Sequence, residues 1–191
     1  MIRLDYSNYG IYRKVRNAAW QCLIDNKINR LPVDVLLIAK ANGIKLRKNS
    51  DVGLLKTNQS GLCFYSYENV QWYIVYDDEA APGRRRCIIA HELGHILLGH
   101  ECNNREKEAD AFVRLLSPAC VLWGLNLHTA DEIAAVCDIS KAEARKRATR
   151  MATLYKRGKF LTAPLEKQVF EQFKGFIEEQ NTKKEGATHE M

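Results

Sequence analysis

Three of the chain's five histidines fall within ten residues, in Ala90-His91-Glu92-Leu93-Gly94-His95-Ile96-Leu97-Leu98-Gly99-His100. His91 and His95 are four apart, so on a helix their rings leave the same face one turn apart. Both imidazoles can then reach a single zinc ion, at about 2.0–2.1 Å from each ligating nitrogen. Glu92 is offset by about 100° and can hold an attacking water from the side, the arrangement of H-E-x-x-H hydrolases. Zinc brings the pKa of a bound water toward about 7, so a carboxylate suffices as general base. The neighbours Ile88, Ile89, Ala90, Leu93, Ile96, Leu97 and Leu98 are apolar. They describe a buried helix, in which two histidines and a glutamate are costly without a partner. Gly94 lowers helix propensity by about 1 kcal/mol, which points to a close approach by backbone or substrate.

A hydrolytic zinc needs a third protein ligand and an open position for water. The extended pattern H-E-x-x-H-x-x-G-x-x-H fails, because Leu98 and Glu101 stand where its Gly and His belong. His100 lies five residues past His95 and is expected on another face of the helix. The ligand must therefore come from the acidic cluster Glu101, Glu106, Glu108 and Asp110. Asn103 or Asn104 can cap a second helix that runs back toward the histidines. Its apolar stripe is Ala109, Phe112, Val113 and Leu116, and Glu106 and Glu108 flank that stripe on opposite sides. Metal-bound imidazoles usually donate their outer N–H to a carboxylate, carbonyl or water. Glu106 is followed one turn later by Asp110, whereas Glu108 is followed by Phe112. This favours Glu106 as ligand, with Asp110 orienting a histidine, and leaves Glu108 as the alternative.

The elements that must position these groups are legible around them. Residues 9–26 carry Tyr12, Val15, Ala19, Cys22 and Leu23 at helical spacing. A second helix is predicted from Pro32 to Asn42-Gly43. Ile44-Lys45-Leu46 alternates as a strand, and 61–67 and 70–76 read as an aromatic hairpin turning at Glu68-Asn69. Helices are predicted near 84–98, 105–117, 129–137, 141–156 and 165–179. The order predicts an α+β fold: a compact domain with a small antiparallel sheet, the H-E-x-x-H helix and further helices. The expected divisions are an N-terminal helix (1–30), a core (31–125), a C-terminal helical region (126–180) and a disordered polar tail (181–191).

A chain of 191 residues with 46% hydrophobic and 27% charged residues has the composition of a globular protein. Collagen-like and low-complexity classes are excluded. Its net charge of +6 hints at an acidic partner. That charge is lopsided, with ten basic and three acidic groups in residues 1–50. No apolar run has membrane-spanning length, and Met1–Tyr6 has no signal-peptide character, so the expected location is the cytoplasm. The six scattered cysteines, without a C-x-x-C pair, are expected to be thiols.

The stretch 88–100, continued by Glu106-Lys107-Glu108-Ala109-Asp110-Ala111-Phe112-Val113-Arg114-Leu115-Leu116-Ser117-Pro118, resembles the ImmA/IrrE family of zinc metallopeptidases of bacteria and their mobile elements. The resemblance covers roughly residues 30–155. The family's second motif places its metal Glu on Glu106 and its polar partner on Asp110. The chain departs from longer members in having only ten residues between His95 and Glu106. The resemblance implies a zincin-like domain, one Zn2+ per chain, and cleavage or inactivation of a helix-turn-helix repressor that silences a mobile element or stress operon. Glu92 would act first as general base and then as proton donor to the leaving amine. An extended peptide can add to the hairpin edge. His100, His128 and the hairpin tyrosines are candidates for oxyanion stabilisation.

Residues 130–144 also resemble a helix-turn-helix, with Ser140 capping a second helix. That helix and its continuation carry Lys141, Arg145, Lys146, Arg147, Arg150, Lys156, Arg157 and Lys159 against Glu143. Such a face can contact DNA phosphates weakly, through Arg145, Lys146 and Arg150, although a solvated basic face has the same signature. The competing function is thus a DNA-associated transcriptional regulator whose zinc is structural or vestigial.

Overall fold

The computed structural model describes residues 9–100 and 105–189. Met1–Tyr6, Glu101, Cys102 and the two candidate capping asparagines, Asn103 and Asn104, lie outside the described residues. The fold is α+β. It divides into two compact units, one of Asp34–Leu115 with the chain up to Ala19, the other of Trp20–Val33 with the chain from Leu116. This division runs through the first helix, α1 (Tyr9–Asp25), and falls before residue 125, where the sequence patterning puts the end of the core.

The first unit continues with α2 (Val35–Ala41), β1 (Lys45–Lys48), the single turn α3 (Asn49–Val52), β2 (Gly61–Ser66), β3 (Gln71–Tyr76), α4 (Pro82–Leu98) and α5 (Glu106–Leu115). Helix α2 begins later than Pro32 because the Asp34 carboxylate accepts the N–H groups of Leu36 and Leu37, both at 3.0 Å. The sheet order is β1-β3-β2. The hairpin β2–β3 is antiparallel as expected, while β1 pairs with β3 in parallel, so the sheet is mixed. Cross-strand rings set the hairpin register: Phe64 stacks on Tyr73 at 5.4 Å, and Tyr65 meets Trp72 edge-on at 5.4 Å. The strands stop one residue short of the predicted turn because Val70 takes a left-handed φ of 51°.

Helix α4 carries Pro82 in its first turn, where a missing N–H costs nothing. It packs on β2, β3, α2 and α5. Ile74, Val75, Ile88, Ile89, Leu93, Ala109 and Phe112 are buried in this unit. Gly94 explains the closeness of α4 and α5, since a β-carbon there would lie 3.2 Å from Phe112 Cβ and 3.3 Å from Ala109 Cα. The approaching backbone anticipated at Gly94 is that of α5.

The second unit holds α6 (Ala119–Gly124), α7 (Ala130–Cys137), α8 (Lys141–Arg157) and α9 (Pro164–His189). Helix α6 was not predicted, because six mostly buried apolar residues show no amphipathic period. Helix α9 runs past residue 180, where a disordered tail was expected. Asn181 and Lys184 donate to the carbonyls of Gly124 and Leu125, at 3.1 and 2.8 Å, and hold this turn down. Among the described residues no helix is long and apolar enough to cross a membrane. Cys22, Cys63 and Cys120 are free thiols whose pKa is pushed up to about 12, chiefly by burial.

Candidate metal centre

Helix α4 presents His91 and His95 one turn apart, as the spacing requires, and α5 brings Glu106 against both. His91 Nε2 lies 3.0 Å from Glu106 Oε2 and 3.2 Å from His95 Nε2. His95 Nε2 lies 3.5 Å from Glu106 Oε1. One ligating atom from each of the three residues falls within 4.8 Å of the others. Two imidazole nitrogens of the same type and a carboxylate, turned toward one another, are a donor set that suits zinc.

The outer nitrogens have partners of their own. His91 Nδ1 meets Asp110 Oδ1 at 3.1 Å, the orienting contact expected from the spacing of Glu106 and Asp110. His95 Nδ1 meets His100 Nδ1 at 3.0 Å. Glu108, the alternative ligand, stands elsewhere: its Oε2 is 3.5 Å from His100 Nε2. Burial, more than any other influence, lowers the pKa of His95 and His100. That direction favours the neutral imidazole, which is the ligating form.

Glu92 is 8% exposed and lies on the flank of the helix that meets β2. Burial raises its carboxyl pKa, and the thiol and backbone N–H of Cys63 work against that rise by donating to it. Gly61, two residues earlier on β2, has no side chain because none fits: a β-carbon would sit 2.7 Å from Glu92 Oε1. Sequence reasoning missed both Gly61 and Cys63. The break at Gly61 marked a strand start, and nothing local announced that this strand would meet Glu92.

Two expectations change here, that for His100 and that for Arg147. His100 lies beyond α4, and its ring folds back onto His95, so it does not occupy another face of the helix. With its side chain 1% exposed and its nitrogens turned to His95 and Glu108, it is unsuited to receive an oxyanion. His128 belongs to the second unit, where Nε2 is 2.9 Å from Asn126 Oδ1 and the ring stacks on Tyr155. Tyr65 and Tyr73 are engaged in cross-strand ring pairs. Within the basic segment, Arg147 is buried and donates to the Ser117 carbonyl, so it leaves the exposed face. Arg145, Lys146 and Arg150 are exposed.

Helix α4, bearing two histidines and a buried glutamate, is completed by a carboxylate from its partner helix α5, a donor set that could hold a metal ion. Residues 39–149 match the Peptidase M78 family, the IrrE N-terminal-like domain. The match covers more than half of the chain, and the protein belongs to this family. Among the curated proteins compared, none matches the chain.

Proposed function

We propose that this chain is a zinc-dependent endopeptidase of the cytoplasm that cleaves or inactivates a helix-turn-helix repressor of a mobile element or stress operon. The observation that carries the peptidase reading is the convergence of His91 Nε2, His95 Nε2 and Glu106 beside the buried Glu92. These three residues would hold one zinc per chain. When bound, zinc supplies Lewis-acid polarisation of a peptide carbonyl and a more acidic water. Glu92 takes a proton from the attacking water on a carboxylate oxygen and returns it to the departing amine nitrogen. Cys63 holds the Glu92 carboxylate in place through its N–H and thiol. Strand β2 lies at a sheet edge beside Glu92, which supports strand addition as the way an extended peptide is held. The repressor as substrate rests on the family likeness.

Metal analysis of the purified protein, paired with incubation against purified helix-turn-helix repressors of the same cell, tests this reading. Glu92→Gln should retain one zinc and lose cleavage. A wild-type protein without zinc, or a Glu92→Gln variant that still cleaves, overturns it.

A second reading has one feature in its favour. Helices α7 and α8 pack together across a turn in which Asp138 is left-handed and Ser140 caps α8. The exposed Arg145, Lys146 and Arg150 can contact DNA phosphates weakly. On this reading the protein is a DNA-associated regulator with a structural zinc. Binding to duplex DNA should then weaken with salt, and Arg145→Glu with Arg150→Glu should flatten the log–log salt slope by about 2. Salt-independent binding, or none, removes this reading.

A further inference from the structure

Helix α4 ends in a left-handed glycine, Gly99, with φ of 67°. The next residue, His100, donates its backbone N–H to the His95 carbonyl at 3.0 Å. Helix ends of this type bring the residue after the glycine onto the residue four positions before the glycine, usually as a hydrophobic contact. Here the two residues are His100 and His95, and the contact is between ring nitrogens, Nδ1 to Nδ1 at 3.0 Å. The His100 side chain is 1% exposed. Its Nε2 is buried and, among the described residues, has no hydrogen bond of standard geometry. That nitrogen faces Glu108 Oε2 at 3.5 Å.

We infer that His100 and Glu108 form a positioning dyad that orients His95 and fixes its tautomer for metal binding. This rests on the zinc reading above. For His95 Nε2 to offer its lone pair, the ring proton must sit on Nδ1. His95 Nδ1–H then donates to His100 Nδ1, which must carry no proton. The neutral His100 ring consequently holds its proton on Nε2, aimed at the Glu108 carboxylate. Only one arrangement of the two protons satisfies the chain. The two histidines are thus oriented differently. His91 meets the Asp110 carboxylate directly at 3.1 Å, whereas His95 reaches a carboxylate through a second imidazole. Helix α5 supplies both carboxylates as well as Glu106.

The test is zinc affinity, measured by competition with a chromophoric chelator on the full chain. His100→Phe keeps an aromatic ring at the site and removes the acceptor, and it should weaken zinc binding by about 10–100-fold. His100→Asn restores an acceptor near the Nδ1 position and should recover affinity to within about threefold of wild type. Nitrogen-resolved imidazole spectra of the zinc-loaded protein should show His95 protonated on Nδ1 and His100 on Nε2. Packing alone would leave the His100→Phe affinity unchanged, and that result overturns the dyad, as does a His100 ring protonated on Nδ1. Should His100→Phe fail to fold, Glu108→Gln carries the same test, with an expected loss of about threefold to tenfold. A wild-type chain that binds no zinc refutes the zinc reading itself. Tight wild-type binding with indifferent His100 and Glu108 variants refutes only the dyad.

Discussion

Gly61 of β2 approaches Glu92 of α4 so closely that a methyl group in place of its hydrogen would lie 2.7 Å from Glu92 Oε1 and 2.7 Å from Ile88 Cγ2. Glu92 Oε1 ends a flexible side chain and can move, whereas Ile88 Cγ2 is a branch methyl of a buried, stiff residue. Gly61→Ala thus displaces Glu92 and also strains the packing around Ile88. Overpacking of this kind costs about 1–3 kcal/mol. Displacing a reacting group by about 1 Å costs on the order of 100-fold in rate. Gly61→Ala should therefore lose far more activity than stability, with zinc content unchanged. A cleavage assay beside a thermal melt checks this, and parallel losses in the two would contradict it.

Gly94→Ala tests the helix pair. The substitution gains about 1 kcal/mol of helix propensity. Its β-carbon, however, would meet Ala109 Cα at 3.3 Å and Phe112 Cβ at 3.2 Å, and backbone yields less readily than a side-chain end. Strain of about 1–3 kcal/mol outweighs the gain, so the variant should be less stable than wild type by denaturant titration. Pushing α5 away also moves Glu106 from the histidines, and zinc affinity should fall in the same variant.

Glu106 and Asp110 share a helix face and have different roles. Glu106→Ala removes the carboxylate whose two oxygens lie 3.0 Å from His91 Nε2 and 3.5 Å from His95 Nε2, and zinc should no longer copurify. Asp110→Asn leaves all three donors in place and loosens only the His91 ring, so zinc should bind about 10–100-fold more weakly. Equal zinc affinities for the two variants would show that the carboxylates are interchangeable.

Glu132 offers a pH test away from the site. It accepts the backbone N–H and the hydroxyl of Thr129, both at 2.8 Å, and the N–H of His128 at 3.0 Å. These bonds, the Thr129 backbone first among them, hold its carboxyl below the usual 4.5. A carboxyl depressed in the folded state adds stability that is full above its unfolded value and is lost as pH falls through the folded one. The stability gap between wild type and Glu132→Gln should thus be present at pH 7 and shrink as the pH falls below 4.5 and through the depressed folded value. Thr129→Ala, which removes the reciprocal half of the cap, should cost about 1 kcal/mol at pH 7. Thermal melts across that pH range decide both points.

How much of this was legible depends on the range of each interaction. The pairing of His91 with His95, the flanking Glu92 and the one-turn step from Glu106 to Asp110 are intrahelical, and the 3.6-residue period alone places them. The hairpin was equally readable, because aromatic and β-branched residues alternate on either side of a turn. His100 was misplaced because it was assigned to a face of the His95 helix, whereas α4 ends at Leu98 and the left-handed Gly99 turns the chain back on itself.

What the sequence by itself determined is the chemistry on offer: two imidazoles and a glutamate on one helix, a carboxylate-rich helix after a short connection, and an α+β frame. Only the tertiary structure decided which carboxylate stands at the two Nε2 atoms, that Glu108 faces His100, and that Gly61 and Cys63 meet Glu92. Those choices depend on how α5 and β2 are phased and spaced against α4. Side-chain packing between elements sets that phase, and no period within a single element encodes it.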